Sequence, residues 1–197
     1  GEEVRIPYYD FETGRQHREH TPLQLDPDQV ILIDSLHGLY PDMTEDIDDA
    51  LKFKVYIEPL LQMEGPNDRY IRWTDLRLMR RMERDAVCRN YCRRRTLEHW
   101  HYVRSSEMRN IIPYLNTADY IVNSGLPYEV PIMRPRLLDH FRAWEREYAD
   151  DPLRQDAAAR AERVRRLLEA VVPVEDDSAI PPDSLLREFI GGSCYAY

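Results

Sequence analysis

Six consecutive residues constrain this chain most: Gln29-Val30-Ile31-Leu32-Ile33-Asp34. An apolar run without alternation, closed by an acid, reads as a strand buried on both faces of a parallel sheet. Parallel strands need crossover connections, and the downstream sequence provides segments for them. Phe53–Ile57 and Ala118–Val122 read as a second and a third strand, and Tyr128–Ile132 as an edge strand bounded by Pro127 and Pro131. Leu76, Leu78, Met79, Met82, Ala86 and Val87 mark a helix from Thr74. Further helical stretches run over 96–115, 136–148 and 154–171, and a short one over 183–190 ends at Gly191-Gly192. Strands separated by helices mean an α/β fold. Ligands in such sheets collect at the carboxyl ends of the strands, which places Asp34 to Gly38 at the rim of a site.

The remaining segments are less regular. Val4–Leu25 is polar and extended, with Pro7 and Pro22 as breakers. Thr44 or Asp46 is placed to cap a short helix reaching Leu51. Leu60–Asp68 reads as a loop turning at Gly65-Pro66-Asn67-Asp68.

Composition excludes several classes. A chain of 197 residues is one domain, or one with an appendage, since domains run to roughly 100–200 residues. No stretch approaches the about 18 apolar residues of a membrane span. The amino-terminal residues have no signal-peptide pattern, and three cysteines do not make a disulfide framework, so a reducing, cytoplasmic setting is expected. The net charge of −9 argues against a general nucleic-acid binder. Yet between Arg72 and Arg109 eleven arginines stand against five acids, which points to a local anion site. RNA binding through those arginines with Trp73, Tyr91 and Trp100 is the weaker reading.

Three constellations carry candidate chemistry. Asp34 ends the apolar run, where a carboxylate can hold hydrated magnesium or simply cap the next turn. Arg77, Arg81 and Arg84, spaced by four and three, share one helical face with Arg80 beside them. Guanidinium forks bind phosphate oxygens in pairs, although such a run can also be a solvated face paired with Glu83 and Asp85. Tyr8-Tyr9-Asp10-Phe11-Glu12-Thr13-Gly14-Arg15 can stack on a planar base or sugar, or be an edge segment with packed tyrosines. Arg93-Arg94-Arg95 reads as an exposed loop cluster. His99-Trp100-His101 points its imidazoles apart, and Cys88 with Cys92 finds no second ligand pair, so zinc is not expected.

Together these segments resemble the uridine kinase and phosphoribulokinase family of P-loop kinases. The resemblance rests on Tyr9-Asp10-Phe11-Glu12-Thr13-Gly14-Arg15, on Ile31-Leu32-Ile33-Asp34-Ser35-Leu36-His37-Gly38-Leu39, and on the arginine series from Thr74 to Asp85. Glu107–Pro113, Asn123–Glu129 and the tail Ile180–Ser193 are similar to the uridine kinase-related branch that often carries a TGS-type module. The resemblance implies that Tyr9 and Phe11 flank an acceptor nucleoside, with Arg15 and His37 in the same substrate group. It implies that Asp34 organises magnesium through water. Arg77, Arg80, Arg81 and Arg84 lead into a lid over phosphates, with Arg89 near its tip. Asp34, Arg81 and Arg84 are then the catalytic candidates.

This sequence departs from the family at Asp34-Ser35, where Glu-Gly is usual, and at Gly14, near the place of a substrate histidine. A larger departure is the absence of a Gly-x-x-x-x-Gly-Lys-Ser/Thr loop. The chain has seven glycines, and of its 27 basic residues only Lys52 and Lys54 are lysines, neither preceded by glycine. That loop cradles the triphosphate with backbone amides and a lysine. The implied fold is therefore a partial P-loop-kinase sheet over 1–135, without its central strand, followed by a helical extension over 136–197. The implied function is the C-terminal part of an ATP- and magnesium-dependent kinase for a nucleoside or sugar hydroxyl, inactive alone. The alternative is a non-catalytic nucleotide- or phosphate-binding or regulatory module. The missing central strand would lie between Val30–Asp34 and Phe53–Ile57. An N-terminal P-loop segment, a second chain such as a homodimer partner, or direct closure is expected to fill it.

Overall fold

The computed structural model describes residues 1–10, 13–65, 69–88 and 91–195. It divides into two compact units, Gly1–Gly38 and Leu39–Tyr197.

The first unit is built on an antiparallel hairpin, β1 (Val4–Asp10) and β2 (Arg15–Leu23), in register from Val4↔Leu23 to Asp10↔Arg15. Its polar sequence shows extension but not pairing, because no alternation marks a buried face. The turn is fixed by Asp10, whose carboxylate accepts from the Thr13 amide at 3.2 Å and the Thr13 hydroxyl at 2.6 Å. Gly14 takes φ 67° there, which glycine adopts without steric cost. The register shifts between Ile6 and Tyr8, where Pro7 has no N–H to give the ladder.

Gln29–Asp34 is not a strand. Val30 is 93% and Leu32 96% exposed, and no described strand pairs with the segment. A run that is apolar on both faces becomes a strand only between neighbouring strands and covering layers.

The second unit opens with two 3-10 turns, Pro41–Met43 and Asp49–Leu51. The cap is neither Thr44 nor Asp46 but Asp48, whose carboxylate accepts from the Ala50 amide at 3.0 Å. Strand β3 (Val55–Glu58) buries Tyr56 and Glu58 and exposes Val55 and Ile57. A minimal antiparallel pair joins β4 (Glu64–Gly65), inside the expected loop, to β5 (Arg69–Tyr70), just after it.

Helix α1 (Trp73–Cys88) buries Leu76, Leu78, Met79 and Met82 completely. Helix α2 (Arg93–Asn110) gives way to a 3-10 turn over Ile112–Thr117, because Pro113 disfavours continuation. Arg93-Arg94-Arg95 form the first turn of α2 rather than a loop. Cations there oppose the helix dipole. Glu83 takes Arg93 at 2.7 Å, and Glu147 takes Arg94 through two bonds of 2.7 Å, which offsets that cost. Strand β6 (Tyr120–Asn123) then pairs in parallel with β3, from Val55↔Tyr120 to Glu58↔Asn123.

The expected edge strand Tyr128–Ile132 is instead the start of helix α3 (Glu129–Tyr148). Pro131 is tolerated because amides in a first helical turn have no intrahelical partner. Glu129 folds back to accept from the Leu126 amide at 2.7 Å. Pro135, inside α3, cannot donate to the Pro131 carbonyl, and the Val174 amide takes that carbonyl at 3.1 Å instead. Helix α4 (Gln155–Glu169) and the short α5 (Leu185–Ile190) complete the chain. Ser184 caps α5, and Gly191 ends it at φ 89°. One core joins α1 to the later helices through Leu97, Trp100, Met133, Leu137, Phe141, Val164, Leu168 and Leu186. The result is a mixed α/β molecule with a small parallel sheet and several helices. No described helix is long and apolar enough to cross a membrane.

Candidate functional site

The carboxyl ends of the parallel pair β3 and β6 meet the arginine helix α1. Glu58 ends β3, and Asn123-Ser124-Gly125 leaves β6. The turn must be tight: Asn123 Oδ1 accepts from the Gly125 amide at 2.9 Å, and a Cβ on Gly125 would sit 3.3 Å from the Leu61 amide nitrogen.

Burial of charge dominates the chemistry here. Glu58 is buried, and desolvation pushes its carboxyl above the ordinary glutamate range, against the opposing pull of Arg77. The Tyr56 hydroxyl donates to Glu58 Oε2 at 2.9 Å, and its own pKa is pushed up by burial and by the Glu58 charge. Arg77 lies with its Nε 3.8 Å from Glu58 Oε1 and forms an ion pair with Glu107, which Arg104 shares. Desolvation pulls the Arg77 pKa down, and repulsion from Arg81 and Arg84 adds to that. The three arginines therefore share one electrostatic neighbourhood, as their spacing along the helix requires.

The four arginines of the series divide by what holds them. Arg80 is buried and donates to Glu129 at 2.6 and 2.5 Å, to Ser124 Oγ at 3.1 Å and to the Ser124 carbonyl at 2.5 Å. Its guanidinium also lies 4.9 Å from the Phe189 ring centroid. Protein groups occupy it, and it ties α1 to the β6 turn and to α3. Arg84 donates through Nη1 to Glu188 at 2.9 Å. Arg81 differs: its side chain is 42% exposed, and it donates through Nε to Asp85 at 2.8 Å. Among the described residues its two Nη groups have no partner. They are donors available to an anion.

The other sequence-predicted residues belong to the first unit. Tyr9 is exposed on β1 opposite Gln16, and Arg15 is exposed opposite Asp10. Asp34 is exposed, and the partly buried His37 has no partner for Nδ1 among the described residues. Phe11 and Arg89 lie outside the described residues. Among those described, no three His, Cys, Asp or Glu side chains converge on one point. His99 and His101 each place Nδ1 2.9 Å from a carbonyl of their own helix.

Glu107, Ser124 and Glu129 stand in the family-like segments with no site role attached to them, and Glu58 stands outside those segments. The signal for Glu58 was present, since Val55-Tyr56-Ile57-Glu58 is an apolar run closed by an acid, the same pattern that singled out Asp34. Nothing in the spacing of Glu107 or Glu129 points to the α1 arginines as their partners.

Along the chain the hairpin comes first, then Asp34, then β3, with α1 and α2 between β3 and its parallel partner β6. The model of the Phosphoribulokinase / Uridine kinase family matches residues 1–130. The chain belongs to this family. Neither the curated proteins nor the solved structures give a match. Membership in the phosphoribulokinase and uridine kinase family relates the chain to kinases of nucleosides and sugars. The family segment contains the hairpin, the β3–β6 pair and all of α1 and α2. It stops at the second residue of α3, so α4 and α5 lie beyond it.

Proposed function

We propose that this chain contributes the acceptor hairpin and the phosphate-facing arginines of an ATP-dependent phosphotransferase acting on a nucleoside or sugar hydroxyl. The observation that supports it best is the α1 face, where Arg81 keeps open donors between Arg77 and Arg84 inside the family segment. Guanidinium groups so arranged bind phosphoryl oxygens and offset the charge of the transferring group. In this reading Tyr9 and Phe11 flank the acceptor, while Arg15 and His37 reach its hydroxyls. Arg84 assists Arg81, Arg89 extends the series, and Arg80 holds α1 in place from behind. Asp34 would hold a hydrated magnesium ion, which would offset phosphate charge.

The sequence holds no Gly-x-x-x-x-Gly-Lys-Ser/Thr loop. Transfer therefore needs that loop from another segment or a second chain, and the 197-residue chain alone binds phosphate without transferring it. The setting is cytoplasmic, and the partners are a nucleotide and a small hydroxyl-bearing acceptor rather than nucleic acid. The missing loop also favours a second reading, a nucleotide- or phosphate-binding regulatory module. The coding sequence upstream of Gly1 separates the two: an in-frame P-loop supports the kinase, and a start codon near Gly1 supports the module. An assay of the pure chain with γ-labelled ATP, magnesium and uridine tests the shared expectation. No labelled product is expected, and labelled uridine monophosphate would overturn it.

A further inference from the structure

Helix α5 lies beyond the family segment, yet it reaches the arginine face of α1. Its base is anchored firmly. Arg187 donates to Asp177 Oδ1 at 3.0 Å and to the Asp177 carbonyl at 2.7 Å, and Arg136 donates to the same carboxylate at 2.5 Å. Its closing Gly191 packs by the last turn of α1, where a Cβ would meet Val87 Cγ1 at 3.4 Å. From this base α5 presents two side chains to α1. Phe189 is buried and faces Arg80 and Arg84, 4.9 and 5.9 Å from its ring centroid. Glu188 accepts from Arg84 Nη1 at 2.9 Å.

The two ion pairs at this place differ in kind. Arg80–Glu129 is buried on both sides and cannot be opened without stranding a charge. Arg84–Glu188 keeps about a quarter of each side chain in solvent, 27% and 24%. Such a pair is weak enough to be exchanged. A carboxylate also offers a guanidinium the same oxygen acceptors as a phosphate. Glu188 thus stands where a phosphate oxygen would stand for Arg84, which follows Arg81 by three residues on the same helical face.

We propose that Glu188 is a built-in competitor for the anion. It holds Arg84 while the arginine face is empty and releases it when phosphate oxygens bind, so the C-terminal helix sets the affinity of the site. The proposal rests on the reading of the α1 face as a phosphate site. Inorganic pyrophosphate is the probe, titrated calorimetrically into the full chain and into its Glu188→Gln and Arg81→Gln variants. Glu188→Gln should tighten binding about two- to fivefold, the worth of a partly exposed ion pair. Unchanged or weaker binding overturns the proposal. Hydrogen exchange of the unmodified chain gives a second measurement that needs no variant. Amides of residues 184–192 should exchange faster at saturating pyrophosphate, and equal or slower exchange overturns the proposal. Binding that requires Arg81 but ignores Glu188→Gln removes the competitor and leaves the phosphate site standing. No binding by any of the three proteins removes both.

Discussion

Arg80 shows at the level of one side chain how a motif arginine can be structural. Its guanidinium is buried against a carboxylate that is itself fully buried, Glu129. Arg80→Ala should therefore cost about 3–5 kcal/mol in urea unfolding, because Glu129 is left charged and unpaired. The double replacement Arg80→Met with Glu129→Met should recover most of that loss, and a loss as large as the single variant's would contradict the pairing. Glu58 makes a prediction of opposite sign. Its folded-state pKa is raised by burial, so its contribution to stability is full below the unfolded glutamate pKa and is lost as pH rises through the folded one. Glu58→Gln should flatten that part of the stability-against-pH curve and remove the penalty at neutral pH. A steeper decline in the variant would show that Arg77, not desolvation, governs the group.

Elements differ in how far the sequence revealed them. Helix α1 was legible because Leu76, Met79 and Met82 recur at helical spacing and all enter the core. Strands β3 and β6 were legible because each is a short apolar run bounded by proline or polar residues. Gln29–Asp34 was misread for the reason that made it stand out. A run apolar on both faces records which neighbours a strand requires, and the described strands do not supply them. Tyr128–Ile132 was misread because proline argues against a strand interior and equally permits a helix's first turn. The candidate site was half legible. The arginine spacing showed a shared face, but spacing carries no information on which guanidinium a distant acid takes, as Glu129 and Glu188 do. Paired substitutions test this contrast. Leu32→Asp should change stability by less than about 0.5 kcal/mol, as for an exposed position. Met79→Ala should cost about 2–5 kcal/mol. A large loss from Leu32→Asp would mean that the segment is buried in solution.

At the scale of the whole molecule, every buried apolar side chain among the described residues falls between Tyr56 and Ile190, within the second unit. Residues 39–197 alone should accordingly melt cooperatively, with helical circular dichroism matching that of the full chain, and a non-cooperative profile would contradict this division. The same unit carries the arginine face and the helices beyond the family segment, so the proposed anion site and its proposed competitor Glu188 lie in one body. Phosphate binding by that face is the central proposal. Calorimetric titration of the intact chain with pyrophosphate tests it directly: one site is expected, weakened at least about tenfold by Arg81→Gln, since hydrogen bonds to charged groups are worth about 1.5–3 kcal/mol. Absence of binding, or binding indifferent to Arg81→Gln, would contradict it.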